Sequence, residues 1–239
     1  MGVVGAQVQE YPSTAFTDPE VCGGCHVDIY EQWSATILSK AYTDPFYRAE
    51  MQEAVHDTDG ALSTFCVKCH SPIGVFAGQH IPVDGSNMSE IAIKGVQCDF
   101  CHTISGLDGI SNGNFINTPG KVKRGPFDDA VSPFHETEYS LLHTRAEVCG
   151  ICHDIYHPTN GLRLEATYFE WREGPYGKQG IVCQDCHMTP GPGVTKPNPG
   201  KAAIQGPERE HIYTHYFVGG NVLYGNRELA IERLQAAGQ

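Results

Sequence analysis

The pentapeptide Cys-x-x-Cys-His occurs five times in 239 residues: Cys22-Cys25-His26, Cys66-Cys69-His70, Cys98-Cys101-His102, Cys149-Cys152-His153 and Cys183-Cys186-His187. The copies use all ten cysteines, so none falls outside the pattern. At this spacing two thiols can form thioethers with the two vinyl groups of a porphyrin. The histidine that follows then lies under the ring as an iron ligand, which is the attachment pattern of c-type haem. Paired Cys-x-x-Cys motifs also build tetrahedral zinc sites. Zinc would leave one of the five pairs alone and would not require a histidine after every second cysteine. A disulfide scaffold suits ten cysteines in an exported chain, yet cysteines separated by two residues staple little, and the histidines again go unexplained. The sequence therefore predicts five covalently attached haem c groups, with His26, His70, His102, His153 and His187 as proximal ligands.

That count governs the fold. Five haems leave about 48 residues each, so the macrocycles themselves must form the core, with apolar side chains packed on their faces. The expected class is mainly α with extensive loops and little or no sheet, a multihaem cytochrome c. Twenty-seven glycines and fifteen prolines agree with a loop-rich chain. The expected organisation is an extended arm over 1–20 and a single pentahaem domain over 21–239. The motif histidines are 44, 32, 51 and 34 residues apart, which excludes a solenoid of fixed period.

Local patterns add detail. Ile29, Trp33, Thr36, Ile37 and Lys40 at helical offsets predict a helix from Cys22 to Tyr42. Asp44 as cap and Pro45 at the first helical position predict a second, Pro45 to His56. Residues 103–134, rich in Gly, Pro, Asn and Asp, read as a long loop, and Glu136 to Ala146 as a short helix. Thr159-Asn160-Gly161 followed by Leu162, Leu164 and Ala166 suggests a small hairpin. Residues 188–209 read as irregular, and Asn226 to Ala237 as an amphipathic helix.

A net charge of −12 argues against nucleic-acid partners; it suits partners that present lysine patches and equally suits solubility alone. No run of about 18 apolar residues spans a membrane. The apolar start Gly2-Val3-Val4-Gly5-Ala6 is too short for a signal peptide. Covalent haem attachment takes place outside the cytoplasm in prokaryotes. The chain is thus expected to be exported, periplasmic or extracellular, and numbered from a form whose export signal has been removed.

Second axial ligands decide what each iron can do: two imidazoles suit it to passing electrons, and an open sixth position suits it to transforming a small molecule. Seven histidines remain for five distal positions: His56, His80, His135, His143, His157, His211 and His215. His157, four residues after His153, shares the proximal face and is the weakest candidate. His211 and His215 stand one turn apart if helical, so one of the two is expected to ligate. Met1, Met51, Met88 and Met188 are few, which favours bis-histidine ligation and low potentials.

The residues around the motifs resemble those of the hydroxylamine-oxidoreductase-like multihaem cytochromes, a group that includes the tetrahaem electron acceptor of ammonia oxidisers. The likeness is carried by Asp28-Ile29-Tyr30, Trp33, Thr36 and Ala41 after the first motif. It continues in Cys66-Val67-Lys68-Cys69-His70-Ser71-Pro72, Gly95-Val96-Gln97-Cys98, Glu170-Trp171 and His215-Tyr216-Phe217-Val218-Gly219-Gly220. It implies a line of haems in alternating stacked and perpendicular pairs, with His215 as a distal ligand and His135 or His143 as others. The expected distal set is His56, His80, His135, His143 and His215. Leu38 occupies a position where that group carries histidine, so His56, a neighbouring chain or an open coordination site must take its place.

Two functions remain at this point. The first is an electron carrier that conducts along five haems, with other redox proteins as partners, either as a discrete shuttle or as the head-to-tail subunit of an extracellular filament. The second is a redox enzyme acting on nitrite, hydroxylamine or tetrathionate at one five-coordinate haem. The lack of a Cys-x-x-Cys-Lys variant, which marks the catalytic haem of related nitrite reductases, weighs toward the carrier.

Overall fold

A computed structural model describes residues 10–190, 193 and 196–219. The expected helix Asn226 to Ala237 lies outside these residues. The described chain is built from short helices and long connections: α1 (Pro19–Gly23), α2 (Val27–Ser34), α3 (Pro45–Asp57), α4 (Val67–His70), α5 (Pro72–Phe76), α6 (Cys98–His102), α7 (Glu147–Gly150), α8 (Thr167–Glu173), α9 (Pro175–Lys178) and α10 (Cys183–His187). Between them run four two-stranded ribbons. The strands are β1 (Ile104–Leu107) with β2 (Phe115–Asn117), β3 (Val122–Gly125) with β4 (Glu136–Tyr139), β5 (Ile155–Tyr156) with β6 (Arg163–Glu165), and β7 (Gly200–Lys201) with β8 (Glu208–Arg209). The class is the one expected, mainly helical with only small sheets. No helix among the described residues is long and apolar enough to cross a membrane.

Several helices start on one device, a polar cap followed by proline. Asp18 accepts from the Glu20 N–H ahead of Pro19, Asp44 from the Tyr47 N–H ahead of Pro45, and Ser71 from the Gly74 N–H ahead of Pro72. The cap predicted at Asp44 thus opens α3 where expected, and α3 ends at Asp57.

Other expectations need correction. The single helix from Cys22 to Tyr42 is broken into the end of α1, α2 and a 3-10 turn, Leu38–Lys40. Its helical offsets are real, but hydroxyl side chains compete for the carbonyls. Thr36 Oγ1 donates to the Trp33 carbonyl, and Ser39 Oγ to those of Ser34 and Thr36. The 103–134 loop contains three strands. The stretch read as a helix from Glu136 begins as β4, where alternating Thr137 and Tyr139 suit an extended strand. Directly across the parallel β3–β4 ladder, Arg124 pairs with Glu138 at 3.1 Å. The hairpin at 159–161 is present as β5–β6. Residues 188–209 hold only two-residue strands where described.

Two small apolar clusters hold these pieces. Phe16, Ile73, Phe76, Ala92, Phe100, Ile104 and Ile151 form one, with Cys101 and Cys152 at its edge. Tyr42, Met51, Val55, Val67 and Val75 form the other, with Cys66 beside it. Residues 10–20 pack against the body of the chain. Phe16 is buried in the first cluster, Tyr11 N–H donates to the Phe76 carbonyl, and the Thr17 N–H donates to Asp99. Gly95, at φ +71°, lets the chain before the third motif lie against the 38–41 turn, where a Cβ would strike the Leu38 carbonyl.

Candidate haem-binding site

Each motif occupies about one helical turn, so cysteines at i and i+3 and histidine at i+4 share a face. The backbone bonds that fix this are local, such as His26 N–H to the Cys22 carbonyl at 2.9 Å and His153 N–H to that of Cys149 at 3.0 Å. All ten thiols are free. Thiols of different motifs also meet: Cys22 contacts Cys98, Cys69 contacts Cys152, and Cys149 contacts Cys183. Cys101 acts electrostatically on both Cys149 and Cys152. The first motif therefore neighbours the third, the third neighbours the fourth, and the second and fifth both meet the fourth. This branching order is invisible in the sequence.

The proximal histidines are held by carbonyls from distant segments. His26 Nδ1 lies 2.6 Å from the Ala202 carbonyl, His70 Nδ1 2.8 Å from that of Ala41, His102 Nδ1 2.5 Å from that of Arg124, and His187 Nδ1 2.5 Å from that of Val218. A carbonyl can only accept, so each Nδ1 carries the proton and each Nε2 keeps its lone pair. That is the second-shell arrangement that orients a metal-bound imidazole. His153 has no such acceptor among the described residues. Strand β3 holds the Arg124 carbonyl in place through its neighbour Lys123, whose ammonium pairs with the fully buried Asp99 of the third motif. The same ammonium donates to the Gly120 carbonyl at 2.6 Å.

The same reasoning sorts the other histidines. His135 Nδ1 donates to the Glu136 carbonyl at 3.0 Å and His215 Nδ1 to the Tyr213 carbonyl at 3.2 Å, so both present a free Nε2. The His135 ring centre is 6.4 Å from that of His26, and the His215 ring centre is 6.3 Å from that of His102. Two metal–imidazole bonds of about 2 Å, plus roughly 1 Å from each nitrogen to its ring centre, span about 6 Å. Both ring-centre separations match that span. His143 lies closer to His102, at 5.5 Å, and is turned the other way. Its Nε2 donates to the Cys101 carbonyl, while its buried Nδ1 has no partner among the described residues.

His211 Nδ1 accepts from the Asn198 N–H, and His157 Nδ1 from the Thr159 N–H, so in both neutral rings Nε2 bears the proton. Neither presents the lone pair that His215 does. His56 sits on α3 against Asp57 with its side chain 89% exposed. His80 meets the Thr64 hydroxyl at 2.9 Å, just ahead of the second motif. Around His70 the neighbour is aromatic: the Tyr47 ring stacks on it at 3.7 Å and 4°. Sequence reasoning missed Tyr47, and its place in the first turn after the Asp44 cap was the available signal. Met51 and Met88 are core residues.

Burial favours the neutral form of four imidazoles, His70, His102, His143 and His215. It pushes His70 and His102 below the ordinary histidine range, His143 to about 4 and His215 to about 3, the last two also repelled by His102. The Cys101 thiol is pushed up to about 12 by the same burial. The residues present thus fit c-type haem in donor type, tautomer and spacing.

Comparison with known proteins points the same way. The profile of the cytochrome c554 and c-prime family matches residues 21–103. No curated protein matches the chain. Among solved structures, a penta-heme cytochrome c552 from Thermochromatium tepidum is similar, with a TM-score of 0.61 and 21% identity over 88% of this chain. The chain spans 58% of the length of that protein. The architecture is that of a multihaem cytochrome.

Proposed function

We propose that the chain carries five covalently bound haem c groups and passes electrons among them, as an exported protein that serves other redox proteins. Haem iron, when bound, alternates between ferric and ferrous states and so holds one electron per group. The polypeptide supplies attachment, spacing and ligand choice. The observation that carries the reading is the pair of imidazole separations, His26 to His135 and His102 to His215, in tautomers that leave Nε2 free. On this reading His135 and His215 are distal ligands for the first and third haems. His80 and His143 supply further nitrogens. The contacts between motif thiols support a line from first to third to fourth haem, branching there to the second and fifth.

The resemblance to hydroxylamine-oxidoreductase-like cytochromes supports the same role. Intact-mass measurement of protein from its native cells should show five haem additions, and a reductive titration should reduce all five reversibly. A bare polypeptide mass would remove the reading.

Two finer readings each have one observation in their favour. The exposed His56 leaves an imidazole for a haem of a neighbouring copy, which favours a head-to-tail filament. Monodisperse particles in electron micrographs at high concentration would exclude it. An enzyme acting on a small nitrogen or sulfur oxyanion is favoured by the second motif, where no second imidazole among the described residues pairs with His70 as His135 does with His26. A paramagnetic resonance spectrum with low-spin bis-imidazole iron alone would exclude that.

A further inference from the structure

We infer that residues 128–138 form the docking face through which electrons cross between this chain and a lysine-ringed redox carrier. The inference rests on the electron-transfer reading and adds the port and the partner's chemistry. Val131 is 90% exposed and Phe134 73%, the most exposed large apolar side chains of the stretch. Phe134 directly precedes His135, whose ring faces His26, so an apolar surface lies beside the first imidazole pair.

The flanking charges are sorted by depth. Asp129 is 64% exposed, while Arg209, its partner, is 16% exposed. Glu138 is 55% exposed, while Arg124 opposite it is 10% exposed. The basic partners sit beneath and the carboxylates point outward, joined by the exposed Asp128 and Glu136. An apolar centre with an acidic margin can steer a basic partner and then exclude water at the contact. Transient electron-transfer encounters are small enough for such a patch. A second copy of this chain, at net charge −12, would set like charges against each other. The exchange itself moves one electron from ferrous iron on one side to ferric iron on the other, with no bond made or broken.

The test is stopped-flow mixing of the fully reduced chain with ferric mitochondrial-type cytochrome c, a lysine-ringed carrier, across ionic strength. Val131→Ser with Phe134→Ser should lower the second-order rate about tenfold at every salt concentration. Asp128→Asn with Glu136→Gln should lower it at low salt and flatten the salt dependence. Both pairs are at the surface, and each variant's haem spectrum should match the parent. Rates within about twofold of the parent for both pairs would overturn the docking face. So would concentration-dependent self-association abolished by the serine pair, since that would assign the face to a second copy. Reversible reduction by dithionite separates the two levels. If it succeeds while the variants change nothing, only the port fails; if the chain takes up no electrons, the electron-transfer reading fails.

Discussion

The first and third motifs occupy one kind of environment and the second motif another. Around His26 and His102 the chain gathers three more imidazoles, His135, His143 and His215, and pins the site through Lys123 and the buried Asp99. Around His70 it places one aromatic face, Tyr47, and an edge of the smaller apolar cluster. His70 and His102 both donate to a backbone carbonyl, so the difference lies in the rings beside them: imidazoles near His102, a stacked phenol on the face of His70. The contrast separates motifs whose histidine has a second imidazole nearby from one whose neighbour is a phenol ring. The third motif, held in this way, links the first to the fourth, where the thiol contacts branch.

The largest test of this contrast is removal of an attachment site. Replacing Cys98 and Cys101 by alanine removes the third motif's attachment thiols and takes Cys101 from the edge of the first apolar cluster. It should lower the melting temperature by about 10 °C, on the order of 4 kcal/mol. The same change at Cys66 and Cys69 should cost clearly less, and thermal melting of the two variants checks the ranking. Next comes Lys123→Met. It leaves Asp99 charged and buried without its partner, at a cost of about 3–5 kcal/mol. Denaturant melts should show that loss, together with a changed low-spin signal from the His102 iron as the Arg124 carbonyl shifts.

At the level of ligands, His215→Ala should convert about one iron in five to high spin in paramagnetic resonance. His211→Ala should leave the spectrum unchanged, because its Nδ1 is already an acceptor. Acid gives a smaller and graded effect. The folded-state values of His215 and His143 are depressed, to about 3 and about 4, so their contribution is intact above the unfolded value near 6.5. It is lost progressively as pH falls toward 3, where the unfolded chain binds protons that the folded chain refuses. An acid titration of the haem-loaded protein followed by circular dichroism should show stability falling in that window. The smallest change expected is Tyr47→Phe, which keeps the stacked ring and should leave the second haem's potential in place, whereas Tyr47→Ala should move it.

Much of the site was legible in the chain because attachment is local. Two cysteines and a histidine within five residues need only one helical turn, and all five motifs could be read directly. The Asp44-Pro45 start of α3 and the turn at Asn160-Gly161 were legible for the same reason. What could not be read is long-range. The carbonyl that holds His26 comes from Ala202, 176 residues away, and no pattern announces it. The break after Ser34 depended on which hydroxyls would capture which carbonyls. Strands β3 and β4 are four residues each and are set by their pairing to each other. The choice between His211 and His215 turned on a single backbone N–H at Asn198, which fixes one ring's tautomer through tertiary contact.

The most direct test is an experimental density map of the haem-loaded protein with its axial ligands traced. The account predicts iron bridged by His26 and His135, and a second iron bridged by His102 and His215, each through Nε2. Maps placing His135 and His215 off both irons, with those positions open or filled by other side chains, would contradict it.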